Sequence, residues 1–234
     1  MEYLIISNGI VLDDDSLLKL AEQADVIVCV DGGARHLKRI NVAPNILIGD
    51  MDSIDIEAQL YMDICASENY TKTIKYPKEK DASDTELAVL WAIEHGATYI
   101  TLTGVTGSRM DHTLSNIFLL RSITKKGIGC KIVDAHNEIY LFSNELSKNG
   151  LRANTRCCND DYGELSVNGK KGDLLSIIPI TNEVSGLTLT GLKYPLSNAT
   201  LQLGSSKGIS NVFNQECASI SLKHGTILII KSSE

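Results

Sequence analysis

The chain has no basic stripe. Its 22 lysines and arginines are outnumbered by 29 aspartates and glutamates, for a formal net charge of −7, so little is available to displace the counterions condensed on a nucleic-acid backbone. A nucleic-acid partner is therefore not expected, and a polyanionic small molecule would need a bridging metal. There is no Cys-x-x-Cys either. The six cysteines (Cys29, Cys65, Cys130, Cys157, Cys158, Cys217) include an adjacent pair but show neither zinc-ligand nor redox spacing, which reads as reduced thiols in a cytoplasm. No apolar run approaches bilayer length, and Met1-Glu2-Tyr3-Leu4-Ile5-Ile6-Ser7 carries no basic leader. The expectation is an unexported cytoplasmic protein with no membrane partner. The chain contains no internal repeat, and its five histidines show no metal-ligand spacing.

What is present is a core-forming composition, 43% hydrophobic over 234 residues, enough for one large domain or two small ones. Up to about residue 143, short β-branched runs at 3–7, 26–30, 46–48, 71–76, 99–103 and 131–134, with a seventh at 138–142, alternate with helical patterns. That alternation predicts a parallel sheet with covering helices. Ser83 and Glu86 form a Ser-x-x-Glu capping box opening a helix that ends at His95-Gly96, with Leu87, Leu90 and Trp91 on its expected apolar face. A second helix is predicted from about Asp111 to Lys125, with Leu114, Ile117 and Phe118 on one stripe. From about Glu164 the pattern changes to strands at 174–180, 184–190, 199–203, 218–222 and 227–231, an all-β C-terminal domain. Residues 147–161 read as a polar linking loop or hairpin. The predicted class is thus α/β, an N-terminal parallel-sheet domain followed by an all-β domain.

Four acidic motifs sit where apolar runs of the first half give way to loops: Asp31-Gly32-Gly33, Gly49-Asp50-Met51-Asp52-Ser53, Asp81-Ala82-Ser83-Asp84 and Ser108-Arg109-Met110-Asp111. In such sheets ligands bind beyond the carboxyl ends of the strands. If Asp50 and Asp52 continue the strand before them, period-2 spacing points both carboxylates to one side. At roughly 5 Å and an effective dielectric near 20 they repel by about 3 kcal/mol. A hard, oxygen-seeking cation such as Mg²⁺ supplies the counter-charge.

Each motif also has a plainer reading. Asp31 either accepts hydrogen bonds in a phosphate- or sugar-binding turn or caps the following helix. One of Asp50 and Asp52 could cap a helix near Ser53. Asp84 is either a third metal ligand or a first-turn stabiliser. Arg109, after the loop Thr103-Gly104-Val105-Thr106-Gly107, either neutralises phosphate oxygens or pairs with Asp111 at the surface. That loop is suited to holding phosphate through its amides, but it lacks the Lys-Ser/Thr ending of a P-loop.

Together with Gly191-Leu192-Lys193-Tyr194-Pro195-Leu196 and Ser210-Asn211, these motifs in this order resemble the thiamine pyrophosphokinase family over nearly the whole chain. The resemblance implies a nucleotide- and metal-binding α/β domain at 1–145 and a β-sandwich at 146–234 that contributes to thiamine binding and dimerisation. The implied assembly is a homodimer with active sites between subunits. ATP and thiamine are the implied substrates, AMP and thiamine diphosphate the products. Residue by residue, it implies Asp50, Asp52 and Asp84 as Mg²⁺ ligands, and Asp31, Gly32, Gly33, Asp81, Arg109 and Asp111 around the nucleotide and its phosphates. It implies Tyr194, Ser210 and Asn211 as thiamine contacts. Animal members carry tryptophan at the position of Tyr194, so the stacking surface here is smaller. The strand-end run Ile46-Leu47-Ile48-Gly49-Asp50-Met51-Asp52-Ser53 also resembles aspartate-nucleophile phosphatases, which form an aspartyl-phosphate, and a non-catalytic thiamine or nucleotide sensor is a third reading.

Overall fold

The computed structural model describes residues 1–144 and 164–233. The predicted linker at 147–161, the adjacent cysteines 157 and 158, and the domain boundary expected at 145/146 lie outside the described residues. The chain forms two compact units, Met1–Leu119 with Ile132–Ala135, and Leu120–Lys131 with His136–Glu234.

In the first unit, strands β1 (Glu2–Ile6), β2 (Val26–Val30), β3 (Ile46–Gly49), β4 (Lys72–Lys75) and β5 (Tyr99–Thr103) form a parallel sheet in the order β5-β1-β2-β3-β4. Runs such as Val26-Ile27-Val28-Cys29-Val30 are apolar at nearly every position because both faces of a parallel sheet are covered. On one face, Leu4, Ile6, Cys29 and Leu47 pack with Leu17 and Ala21 of α1 (Asp14–Gln23), Leu37 of α2 (Ala34–Arg39), and Ala58 and Met62 of α3 (Ile56–Ser67). Helix α4 (Asp84–Glu94) lies against β1, β2 and β3, and the Ser7 and Thr85 hydroxyls meet at 3.1 Å.

Two helix faces differ from expectation. The buried side of α4 is Thr85, Ala88, Val89 and Ala92, whereas Leu90 is exposed. Small residues let the helix approach the sheet closely, and that face was hidden by larger apolar neighbours in the sequence. In α5 (Met110–Lys125), Leu119, Leu120 and Ile123 are buried while Leu114 and Phe118 are exposed. Apolar residues surround much of this helix, so periodicity alone did not fix which side faces inward.

The second unit is a sandwich. One layer has the order β12-β9-β14-β7, the other β11-β10-β13-β8. The strands are β7 (Asn137–Ser143), β8 (Glu164–Asn168), β9 (Leu174–Pro179), β10 (Glu183–Thr190), β11 (Leu196–Gln202), β12 (Asn211–Val212), β13 (Cys217–Ser221) and β14 (Thr226–Ser232). Phe142, Leu175, Ile177, Phe213, Ile227 and Ile229 of one layer pack with Leu165, Val184, Leu187, Leu201 and Ile220 of the other. The segment at 138–142, grouped by its position in the chain with the α/β half, falls in the second unit and pairs antiparallel with β14, from Asn137 opposite Ser232 to Ser143 opposite Thr226. Strands β8 and β12 were absent from the predicted set. The strand at 131–134 is observed as β6 (Gly129–Val133), through which the division between the units passes.

Candidate active site

Because the first unit's strands are parallel, their carboxyl ends share one edge, and the chain order reverses beside β1. Asp31 follows β2, Asp50 follows β3, and Asp84 opens α4 after β4. The 104–111 segment follows β5.

Asp31 caps no helix. The short 3₁₀ turn Asp31–Gly33 has Val30 as its N-cap, α2 has Gly33, and neither cap bonds through a side chain. Asp31 Oδ1 instead accepts the Met51 N–H at 3.1 Å. That reach requires a glycine beneath it. Gly49 has φ +148°, and a Cβ there would lie 1.7 Å from Asp31 Oδ1. Gly33 serves close packing, since a Cβ would meet the Ile6 carbonyl oxygen at 2.3 Å. Burial pushes the Asp31 pKa up to about 6, helped by the charges of Asp84 and Asp50 and a hydrogen bond with Asp84, and opposed by the Met51 N–H. Asp31, Asp50 and Asp84 therefore form one electrostatic group.

Strand continuation does not align Asp50 with Asp52. β3 ends at Gly49, Met51 has φ +69°, and Asp50 Oδ1 accepts the Asp52 N–H at 3.0 Å in a local turn. Asp52 faces outward to Lys78 at 2.5 Å, which pushes the Lys78 pKa up. Neither acid caps α3, whose N-cap is Asp55. Ser83 caps α4 as its capping box predicts, accepting the Glu86 N–H at 3.2 Å. Asp84 is that helix's first residue and is ion-paired with Lys80.

Among the described residues, no three carboxylate, imidazole or thiol groups converge as a finished metal cage does. The donor chemistry nonetheless fits a hard cation. All the groups are carboxylates, and the upward pull on the Asp31 pKa by Asp84 and Asp50 is the mark of negative charge incompletely offset.

Arg109 and Asp111 form a bidentate pair, Nη2 to Oδ2 at 2.6 Å and Nε to Oδ1 at 3.3 Å, with both side chains exposed. The arginine bond holds the Asp111 carboxyl below the usual range. The plainer surface reading of this pair is what the structure contains. The loop before it is less available for phosphate than its composition suggests. The Gly104 N–H donates to the Ile10 carbonyl at 3.1 Å, and the Gly107 N–H to Thr113 Oγ1 at 3.1 Å. Asp81 is exposed, and Gly32 is buried in its turn.

Tyr194, Ser210 and Asn211 belong to the second unit. Tyr194 is 58% exposed in the connection between β10 and β11, with Lys193 Nζ 5.4 Å from its ring centroid. Ser210 is exposed at φ +56°, its N–H donating to Ser176 Oγ at 3.1 Å. Asn211 is buried and bonded to the Tyr194 backbone.

Residues 17–132 match the family description "Thiamin pyrophosphokinase, catalytic domain", and 164–227 match "Thiamin pyrophosphokinase, vitamin B1 binding domain". A thiamine pyrophosphokinase of Bacillus subtilis (strain 168) is 31% identical over 206 residues, 88% of this chain and 86% of that protein. The chain belongs to the thiamine pyrophosphokinase family. The crystal structure of the Bacillus subtilis thiamine pyrophosphokinase superposes with a TM-score of 0.81 at 28% identity, covering 100% of both chains. That of the Geobacillus thermodenitrificans protein gives 0.79 at 29% identity, over 100% of this chain and 98% of the other. The α/β domain followed by a β-sandwich is the thiamine pyrophosphokinase architecture.

Two lysines beside the family's acidic motifs, Lys78 and Lys80, are further members of the site's charge pattern. Their signal was the alternation Lys78-Glu79-Lys80-Asp81 and the i, i+4 spacing of Lys80 with Asp84. Gly49 belongs to the Gly-Asp-Met-Asp-Ser motif, but its need for a bare Cα follows only from where Asp31 lies.

Proposed function

We propose that this chain, like the relatives named above, acts as a thiamine diphosphokinase (ATP:thiamine diphosphotransferase). The thiamine hydroxyl oxygen attacks the β-phosphorus of ATP in line, a new O–P bond forms, the bond to the bridging α,β-oxygen breaks, and AMP leaves. The hydroxyl proton passes to a base or solvent. One observation carries the reading: Asp31, Asp50 and Asp84 follow β2, β3 and β4 at the carboxyl edge of the parallel sheet, within the stretch that matches the family's catalytic domain.

Mg²⁺ held there would supply positive charge to offset that of the phosphates. Asp50 and Asp84 would hold it, with Asp31 beside them and Asp52 joining on release from Lys78. The arginine fork of Arg109 matches phosphate oxygens, so positioning and electrostatics carry most of the catalysis. Asp111 is better suited to orienting Arg109 than to taking the proton, since its bond to the guanidinium weakens it as a base. Tyr194, Ser210 and Asn211 form the thiamine end. A cytoplasmic homodimer with active sites between subunits completes the proposal and rests on family membership. Among the described residues no helix is long and apolar enough to cross a membrane.

Chromatography of products after incubation with ATP, thiamine and Mg²⁺ tests this. AMP and thiamine diphosphate in equal amounts are expected. ADP with thiamine monophosphate, or phosphate release independent of thiamine, would overturn it, as would thiamine binding without turnover.

A further inference from the structure

Asn211 is 4% exposed, so its amide faces protein, and three short hydrogen bonds account for most of its capacity. Oδ1 accepts the Tyr194 N–H at 2.9 Å and the Val212 N–H at 3.0 Å, while Nδ2 donates to the Tyr194 carbonyl at 2.7 Å. Both lone pairs of the oxygen and one of two amide hydrogens are used. The side chain thus pairs with both backbone groups of Tyr194 as a neighbouring strand would.

The surrounding backbone shows why a side chain does this. The Lys193 N–H donates to the Val212 carbonyl at 2.8 Å, and the Asn214 N–H to the Gly191 carbonyl at 3.0 Å. Leu192 and Phe213 form an antiparallel bridge. The loop 191–193 is therefore laced to 212–214 by main-chain bonds, and the lacing stops one residue short of Tyr194. Asn211 extends it by that residue. Pro195 follows and biases Tyr194 toward extended backbone. Both polar groups of the tyrosine's main chain are thus bonded, while the residue is 58% exposed with Lys193 Nζ 5.4 Å from its ring centroid. An exposed ring on so constrained a backbone is a preorganised contact surface.

We propose that Asn211 is a positioning residue for thiamine that acts through Tyr194, holding the ring as a fixed stacking face. This rests on the thiamine-binding reading above and departs from a direct contact by Asn211 itself. The same logic makes the hydrogen-bonding pattern of the amide essential, because a carboxylate at this position keeps the acceptor but sets a second oxygen against the Tyr194 carbonyl.

The test is a double-mutant cycle on thiamine KM and kcat at saturating ATP and Mg²⁺, with Asn211→Ala, Tyr194→Ala and the double variant. Asn211→Ala alone is expected to raise the thiamine KM about tenfold, the cost of freeing a buried backbone pair, with the ATP KM within about twofold of the parent. In the Tyr194→Ala background the same change is expected to cost less than about twofold, since the ring it positions is gone. Losses that multiply independently would overturn the proposal in favour of direct contact, and an unchanged thiamine KM in Asn211→Ala would overturn it outright. Should Asn211→Ala fail to fold, Asn211→Asp takes its place in the cycle. Its thiamine KM should also improve as falling pH protonates the carboxyl and restores a donor toward Tyr194, relative to the parent's own pH profile. A difference that stays flat with pH would count against the proposal. A parent protein that turns over no thiamine would defeat the family-level reading, an outcome distinct from either cycle result.

Discussion

Lys80 is ion-paired with Asp84 across four residues, and both side chains are largely withdrawn from solvent, at 14% and 21% exposed. Pairs on open surfaces contribute little, but breaking a withdrawn pair leaves one charge without compensation. Here the charge left behind would be the carboxylate that already raises the proton affinity of Asp31.

Replacing Lys80 with methionine is therefore expected to destabilise the metal-free protein by about 1–3 kcal/mol, with added Mg²⁺ recovering much of the loss. Thermal unfolding in EDTA and in Mg²⁺ measures it. Melting temperatures equal to the parent's under both conditions would show that the pair contributes nothing.

Gly49→Ala places a methyl group where Asp31 Oδ1 now lies, 1.7 Å away, at a backbone angle of φ +148°. The carboxylate must move and the Met51 N–H loses its acceptor. The expected result is at least a tenfold fall in kcat/KM with a stability loss of about 1–3 kcal/mol. Steady-state kinetics and urea unfolding check it, and parent-like activity would mean that the position of Asp31 is unimportant.

The two carboxylates of Gly49-Asp50-Met51-Asp52-Ser53 should be unequal. Asp50 is coupled to Asp31, whereas Asp52 is exposed and paired with Lys78. Asp50→Asn is expected to lower kcat by about a hundredfold or more, on the scale of losing one charge-stabilising group, and to do more damage than Asp52→Asn. Titrating activity against Mg²⁺ for both variants decides it. The reverse order would mean that the turn rearranges when the metal binds.

Asp31 and His36 make opposing contributions to stability against pH. Burial raises the Asp31 pKa to about 6, so its contribution is fully present below the ordinary carboxylate pKa and is lost as pH rises through the folded value. His36 runs the other way. Burial, followed by the charges of Arg35 and Arg39, depresses its pKa to about 4, so stability is lost as pH falls from the unfolded histidine value toward 4. Across about pH 4 to 6 the two slopes oppose each other in the metal-free protein. Asp31→Asn should unmask the histidine slope, giving a variant whose stability in EDTA rises more steeply with pH than the parent's. Urea unfolding at pH 4.5 and pH 6.5 compares them, and identical slopes would dismiss the Asp31 contribution.

The sequence by itself determined what depends on local pattern. The unbroken apolar run at Val26–Val30 specified a buried parallel strand with the observed limits, because a strand covered on both faces has no polar alternation to blur it. The Ser83 cap followed from residues three apart, and the acidic motifs fell at strand ends because parallel strands place those ends on one edge. Tertiary structure decided what depends on partners distant in sequence. Asn137–Ser143 looks like another strand of the α/β half until its pairing with Thr226–Ser232 is seen. Small residues turned inward on α4 because the sheet admits close approach there. The two carboxylates around Met51 parted because the chain turns after Gly49 and Lys78 draws Asp52 outward. Asn211 reads from the sequence as one more polar loop residue, and only the lacing of 191–194 against 211–214 shows its amide completing a backbone pair. Side-chain periodicity is written along the chain, whereas the satisfaction of buried polar groups is settled between segments that the fold alone brings together.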